Sequence, residues 1–170
     1  MMLITELPRQ QLCDFIVEAK RATYAATESA ARVASKSPQS NNYLFERDPF
    51  RYEDQYCGEI IDVGMETVWY QAIPVWGMVY RGGVHEAYTH LKQPLFSFLK
   101  EVLRRPIAHF PTRGPEEYKR GNLLYSNRPE GDISTFQGSE TVLMDGEPAC
   151  YRRYVGGLIL GQHNPDMRLL

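Results

Sequence analysis

Two stretches of this chain repeat one another seventy-four residues apart, and no other feature constrains the fold as strongly. Gly64–Val84 aligns without a gap to Gly138–Leu158. The shared residues are Gly64/Gly138, Glu66/Glu140, Thr67/Thr141, Val68/Val142, Pro74/Pro148, Tyr80/Tyr154, Gly82/Gly156 and Gly83/Gly157. Background composition alone would give roughly one such match. A chain that repeats a pattern is expected to build the same unit twice; two hairpins that merely share turn chemistry are the alternative. From Ile73 onward the side chains alternate. Pro74, Trp76, Met78 and Tyr80 fall on one face, and Ile73, Val75, Gly77 and Val79 on the other. Both sets are apolar, which predicts an interior strand covered on both sides and entered at Pro74, since proline donates nothing to a ladder. Gln71-Ala72 is the expected turn from a preceding strand, Glu66–Tyr70. Asp145-Gly146 is the corresponding hairpin turn of the second copy.

Around these hairpins the pattern reads helix, strands, helix, strands. Leu12, Phe15, Ile16, Ala19 and Thr23 recur at helical spacing after Pro8, which predicts a helix from Pro8 to about Thr27 with Arg9, Glu18, Lys20 and Arg21 pointing elsewhere. Ser35–Asn42 reads as a loop. Phe50, Tyr52, Asp54 and Tyr56 alternate with polar residues as a half-buried strand. Gly58 breaks it, and Val63-Gly64 is the expected turn into the central pair. A second helical region, His85–Arg105, is interrupted by Pro94 and stopped by Pro106. His109–Gly121 reads as a loop, followed by short strands at Asn122–Asn127, Ile133–Gln137, Glu140–Met144 and Pro148–Tyr154, with a turn at Pro129–Asp132. The expected fold is therefore α+β: an antiparallel sheet built from two helix-plus-β-meander halves, an internal duplication, with the helices on one face. One domain of 170 residues is expected, with halves at about 8–84 and 85–160 and a C-terminal tail at 161–170.

Charge removes several classes of function. Nineteen basic and twenty-one acidic residues give a formal charge of −2, spread along the chain. That balance carries no electrostatic footprint for nucleic acid or an anionic membrane. No apolar run reaches the length of a membrane span, and the first residues lack the pattern of a secretory signal. Cys13, Cys57 and Cys150 are too scattered for a disulfide framework or a zinc site, so a reducing cytoplasm is the expected location.

Familiar catalytic patterns are missing. His85 and His90 are five apart, whereas a zinc-protease helix needs its histidines at i and i+4 on one face; no metal and no cofactor is expected. Gly82-Gly83 and Gly156-Gly157 follow strands but match no phosphate-loop pattern. The strand carrying Tyr52, Asp54 and Tyr56 is more informative, because it places a carboxylate among aromatic rings. Trp76, Met78 and Tyr80 present a second trio on one face. If there is a site, it is expected to draw on Tyr52, Asp54, Tyr56, Trp76, Met78, Tyr80 and Arg113, and to suit a cationic or amine-bearing ligand. The competing structural reading ties Asp54 to a tyrosine or backbone group, uses Asp132 to cap its turn, turns Glu66 and Glu140 outward, and makes Arg113 a buried partner for a carboxylate.

Several elements occur in an order that resembles a known family. They are Ala19-Lys20…Thr23-Tyr24-Ala25, Tyr52-x-Asp54-x-Tyr56-x-Gly58, Pro74-Val-Trp76-x-Met78-x-Tyr80-x-Gly82, Arg113-Gly-Pro115, Gly131-Asp132…Phe136-x-Gly138-x-Glu140 and Tyr154-x-Gly156-Gly157. The chain resembles a bacterial and archaeal domain-of-unknown-function family whose members stand alone or follow Xre-type helix-turn-helix domains. It departs from that pattern at Arg47, where a glycine is expected, and at Val155, where a histidine usually precedes the glycine pair. The resemblance implies no activity, substrate or catalytic residue, but it implies that some relatives are sensor or partner-binding domains of regulators. The expected function is a non-enzymatic small-ligand or partner-binding, sensor-like module. The alternatives are an enzyme of hydrolase or isomerase type using Asp54, Glu66 or His109, and an interaction or homodimerisation module that offers a sheet edge or aromatic patch.

Overall fold

The structure is a computed structural model that describes residues 3–26, 31–35 and 37–170. Its strands are β1 (Glu6–Leu7), β2 (Arg32–Val33), β3 (Ser40–Arg47), β4 (Phe50–Cys57), β5 (Ile61–Tyr70), β6 (Ile73–Val84), β7 (Glu117–Arg120), β8 (Leu123–Asp132), β9 (Thr135–Met144), β10 (Glu147–Leu158) and β11 (Arg168–Leu169). Helix α1 (Arg9–Ala22) precedes β2, and α2 (Lys92–Leu103) follows a 3-10 helix, Glu86–Leu91, between β6 and β7. Pro94 sits in the first turn of α2, where a missing N–H costs no hydrogen bond. The predicted end of α1 at Thr27 lies outside the described residues; the helix itself closes at Ala22.

Nine strands form one antiparallel sheet in the order β2-β3-β4-β5-β6-β10-β9-β8-β7. The two repeated strands, β6 and β10, lie side by side at its middle, and Tyr80 pairs directly with Tyr154. Equivalent positions keep equivalent neighbours. Gly64 faces Tyr80 as Gly138 faces Tyr154, and Glu66 faces Met78 as Glu140 faces Arg152. Both hairpins turn where the sequence predicts. Gln71 and Ala72 have φ of 50° and 65°, and Asp145 and Gly146 have 53° and 88°, which is the backbone of a two-residue type I′ turn. Each hairpin also carries a register shift, between Val68 and Trp69 in one copy and between Pro148 and Cys150 in the other.

Both helices cover the same face of the sheet. On α1, Leu12, Phe15, Ile16 and Ala19 pack against Phe50, Tyr52, Val68, Trp76 and Met78. On α2, Leu95, Phe98, Leu99 and Val102 pack against Val84, Leu123, Tyr125, Val142 and Cys150. The register puts all of these strand residues on one side. The other side is uncovered: Val63, Met65, Val79 and Val155 are 51%, 51%, 46% and 52% exposed. This corrects the expectation that β6 is covered on both faces. The register shift beside Val75 exchanges the faces at the start of the strand, so Ile73 lies on the covered side with Phe50 and Tyr70 while Pro74 is exposed; Val75 at the shift is buried, and Val79 beyond it is exposed. Other local expectations also change: the loop read at His109–Gly121 contains β7. Val63-Gly64 is not a turn but lies within β5. Pro129–Asp132 continues β8, the turn falling at Ile133-Ser134. Part of the loop read at Ser35–Asn42 is strand from Ser40 onward, fully paired with β4. The C-terminal residues return to pair β11 in parallel with β1, and Met167 is buried in the α1 core.

A candidate site: a cavity lined by buried charges

A cavity of about 30 Å³ opens between the end of α1, the α2 side chain Leu103 and the covered face of the sheet. Its polar lining comprises Lys20, Thr23, Tyr24, Tyr52, Asp54, Tyr56, Asp62, Glu66, Tyr80, Arg113 and Arg152. That volume holds one or two waters, or the head of a small ligand. Lys20, Asp54, Glu66, Arg113 and Arg152 are each less than 8% exposed, together with Glu140 just behind them. Buried charges on this scale persist only when paired and hydrogen-bonded.

The pairing follows the repeat. In the first half, Lys20 forms an ion pair with Glu66, and the Tyr80 hydroxyl donates to Asp54 at 2.7 Å. In the second half, Arg113 takes the place of Lys20 and donates to Glu140 from Nε at 3.0 Å and from Nη2 at 2.5 Å. Tyr125 stands where Tyr52 does and donates to Glu140 at 2.7 Å. Asn127 stands where Asp54 does, accepting from the Tyr154 hydroxyl at 2.8 Å and donating to the Gly114 carbonyl at 3.1 Å. The glycines opposite each tyrosine make both bonds possible, because a Cβ at Gly64 would overlap the Tyr80 hydroxyl and one at Gly138 the Tyr154 hydroxyl. Gly64→Ala is therefore expected to displace Tyr80 from Asp54 and cost about 1–3 kcal/mol. An unchanged urea midpoint would show that Tyr80 does not depend on that gap.

The two halves differ at their ends. The loop carrying Arg113 and Gly114 closes the second one. The first is open to the cavity, and its carboxyl has no matching cation: among the described residues Arg113 pairs with Glu140, Lys20 with Glu66 and Arg152 with Asp62, and no ion pair reaches Asp54. Titration follows from these environments. Burial, then the neighbouring Glu66 charge, raises Asp54 from 3.8 to about 7, against the Tyr80 hydrogen bond and Lys20. Burial would also raise Glu140, but the Arg113 guanidinium, together with Arg152 and the Tyr125 hydroxyl, outweighs it and holds Glu140 below its ordinary value. Burial lowers Lys20, partly offset by Glu66. Tyr52 and Tyr80 are pushed well up, first by burial and then by the adjacent carboxylates, so both remain hydrogen-bond donors.

The structure brings Tyr52, Asp54, Tyr56, Tyr80 and Arg113 together in the lining and leaves Trp76 and Met78 out of it. Those two are buried further along the strand, in the α1 core, where Trp76 Nε1 donates to the Ile133 carbonyl at 3.0 Å. Glu66 and Glu140 do not point outward; they are 3% and 4% exposed and central to the network. Lys20 does not point away from the core either. It lies one turn beyond Ile16, at the edge of the apolar stripe, and is drawn in by Glu66. Sequence reasoning misses Arg152, Asp62 and Tyr24 as lining residues. The repeat marks Arg152 indirectly, since it faces Glu140 as Met78 faces Glu66. His109 is exposed and outside the lining. Asp132 caps not the turn expected at Pro129–Asp132 but the one that follows it at Ile133-Ser134, accepting the Ser134 N–H at 2.7 Å. Burial pushes the Cys13 thiol up to about 11 and that of Cys150 to about 12, so neither is a ready nucleophile. Among the described residues, no group of three or more His, Cys, Asp or Glu is placed to hold a metal ion, and no helix is long and apolar enough to cross a membrane.

Residues 54–159 match the family described as a domain of unknown function (DUF5680). That span begins at Asp54 and contains every lining residue except Lys20, Thr23, Tyr24, Ala25 and Tyr52. No curated protein and no solved structure matches the chain.

Proposed function

The chain belongs to the DUF5680 family, and we propose that it is a ligand-binding module whose cavity takes the ammonium group of a small amine at Asp54. The observation that supports this reading is the charge inventory. Three buried carboxylates, Asp54, Glu66 and Glu140, and the partly buried Asp62 meet three buried cations, Lys20, Arg113 and Arg152. Three pairs form, and the carboxyl left over is the one on the open side. A monocation completes the set by pairing with Asp54, while the phenol rings of Tyr24 and Tyr56 flank the approach. Such a module works as a sensor when ligand binding stabilises one form of the protein for a partner to read. The test is a thermal-shift and calorimetric screen of small amines at pH 8, where Asp54 is ionised. Amines are expected to raise the melting temperature of the wild type and not that of Asp54→Asn. Indifference of the wild type to every amine would remove the reading.

Partner binding has an observation of its own. The uncovered face of the sheet carries a shallow cleft of about 440 Å³ in which Val63, Val79 and Val155 adjoin Arg81, Arg128 and Arg153. An apolar stripe beside arginines is the composition of an interface core and rim. Duplication of an ancestral half is our reading of the repeat. The two copies of the pocket have then diverged, one plugged by Arg113 and Gly114 and the other left open at Asp54.

A further inference from the structure

The cavity has a second polar end, at Asp62 on β5 and Arg152 on β10. These strands are not neighbours: β6 lies between them, and both residues face Gly82. The absence of a side chain at Gly82 lets Arg152 reach across and donate to Asp62 Oδ2 from Nη2 at 2.7 Å. A side-on arginine–carboxylate pair would use a second parallel hydrogen bond, and here it does not form. Asp62 Oδ1 and Arg152 Nε are both buried without a hydrogen-bond partner, Nε standing 3.5 Å from Glu140 Oε1. Arg152 is only 6% exposed, and both residues line the cavity. An acceptor and a donor are thus left unused on one ion pair whose two residues both line the cavity. Buried polar atoms in folded proteins are nearly always satisfied, so an unused pair points to something that fills it.

We propose that this end of the cavity recognises an uncharged group that donates and accepts side by side, a hydroxyl or a primary carboxamide. The group gives its hydrogen to Asp62 Oδ1 and accepts from Arg152 Nε–H. Resting on the amine reading of Asp54, this narrows the ligand class to small amines that also carry such a group. A carboxylate satisfies Arg152 alone and faces both Asp62 and Glu140, so zwitterionic amino acids are disfavoured. A purely aliphatic amine leaves both buried atoms unpaired.

The experiment is a calorimetric titration at pH 8 with propylamine, 2-aminoethanol, glycinamide, glycine and, as a probe without an ammonium group, acetamide. The wild type is expected to bind 2-aminoethanol or glycinamide about tenfold more tightly than propylamine, the factor of one well-formed buried hydrogen bond. Glycine is expected to bind more weakly than glycinamide. Arg152→Lys keeps the positive charge but loses the Nε donor, and should bring the affinity ratio of 2-aminoethanol to propylamine down to about one. Should that variant fail to fold, Asp62→Asn replaces an acceptor with a donor and should shift preference toward the acceptor-only 2-methoxyethylamine. Equal affinity for propylamine and its polar counterparts overturns this proposal and leaves the amine site standing; it would mean that water alone satisfies the pair. Acetamide binding without any amine binding supports the second end and refutes the first. Failure of every probe refutes both.

Discussion

Arg113→Ala is expected to lower stability by about 3–5 kcal/mol, the cost of stranding a buried carboxylate. At this chain length the melting temperature should fall by roughly 10 °C. Arg113 is 5% exposed and gives Glu140 two hydrogen bonds, and without it the carboxylate keeps only the Tyr125 hydroxyl and the more distant Arg152. The sign of the pH dependence follows. Glu140 is held below its ordinary value in the folded protein, so its contribution is present above the unfolded pKa and is lost as pH falls through the folded one. The variant removes that contribution. Its gap from the wild type should therefore be widest at neutral pH and narrow under acid, as urea unfolding at pH 7 and at about pH 4 would reveal. Pairing Arg113→Met with Glu140→Leu should recover part of the loss, because neither charge of the pair is left behind, although the Tyr125 hydroxyl loses its acceptor. A loss under about 1 kcal/mol for Arg113→Ala would mean that solvent reaches Glu140 and that the network is not buried.

The repeat makes much of this fold legible in the sequence. Gln71-Ala72 and Asp145-Gly146 turn where turn chemistry puts them, and Tyr80 and Tyr154 meet because matching strands pair at the centre. Alternation puts Tyr52, Asp54 and Tyr56 on one face, and the structure agrees. Parity names a face, however, and not a depth along it. Trp76 and Met78 share that face with Tyr80 but lie beneath α1, which fills the space above them. The second half of the network is hidden for a different reason. Tyr125 and Asn127 correspond to Tyr52 and Asp54 at an offset one residue shorter than the hairpins, so a gapless comparison loses them. Lys20 reads as solvent-facing because charged residues on a helix usually are; only a buried glutamate on another strand overrides that preference, and the helix pattern cannot show it. The start of β3 escapes because its first residues, Ser40-Asn-Asn, are loop formers, and pairing along the whole length of β4 decides their conformation instead.

Asp54→Asn separates the site from the scaffold, because the second half already displays its outcome. Asn127 occupies the corresponding position and accepts its tyrosine hydroxyl at an ordinary distance, so the Asp54→Asn variant is expected to keep the Tyr80 hydrogen bond. Asp54 in the wild type is raised from 3.8 to about 7 by burial and then by Glu66. A carboxyl raised on folding contributes fully below its unfolded pKa, and that contribution drains away as pH rises through the folded value. The wild type should thus lose stability from this group between about pH 4 and 7, by on the order of 2–4 kcal/mol. The amide that replaces the carboxyl carries no proton to lose. The variant and the wild type are expected to have similar stability near pH 4.5, with the variant the more stable by pH 8, while amine binding disappears at every pH. Binding by the wild type should strengthen from pH 6 to 8, since an ammonium ligand favours the ionised carboxyl and displaces its proton; heats measured in buffers of different ionisation enthalpy count that proton directly. A variant uniformly less stable than the wild type across this range would identify Asp54 as a structural carboxylate, ionised throughout and held by the network.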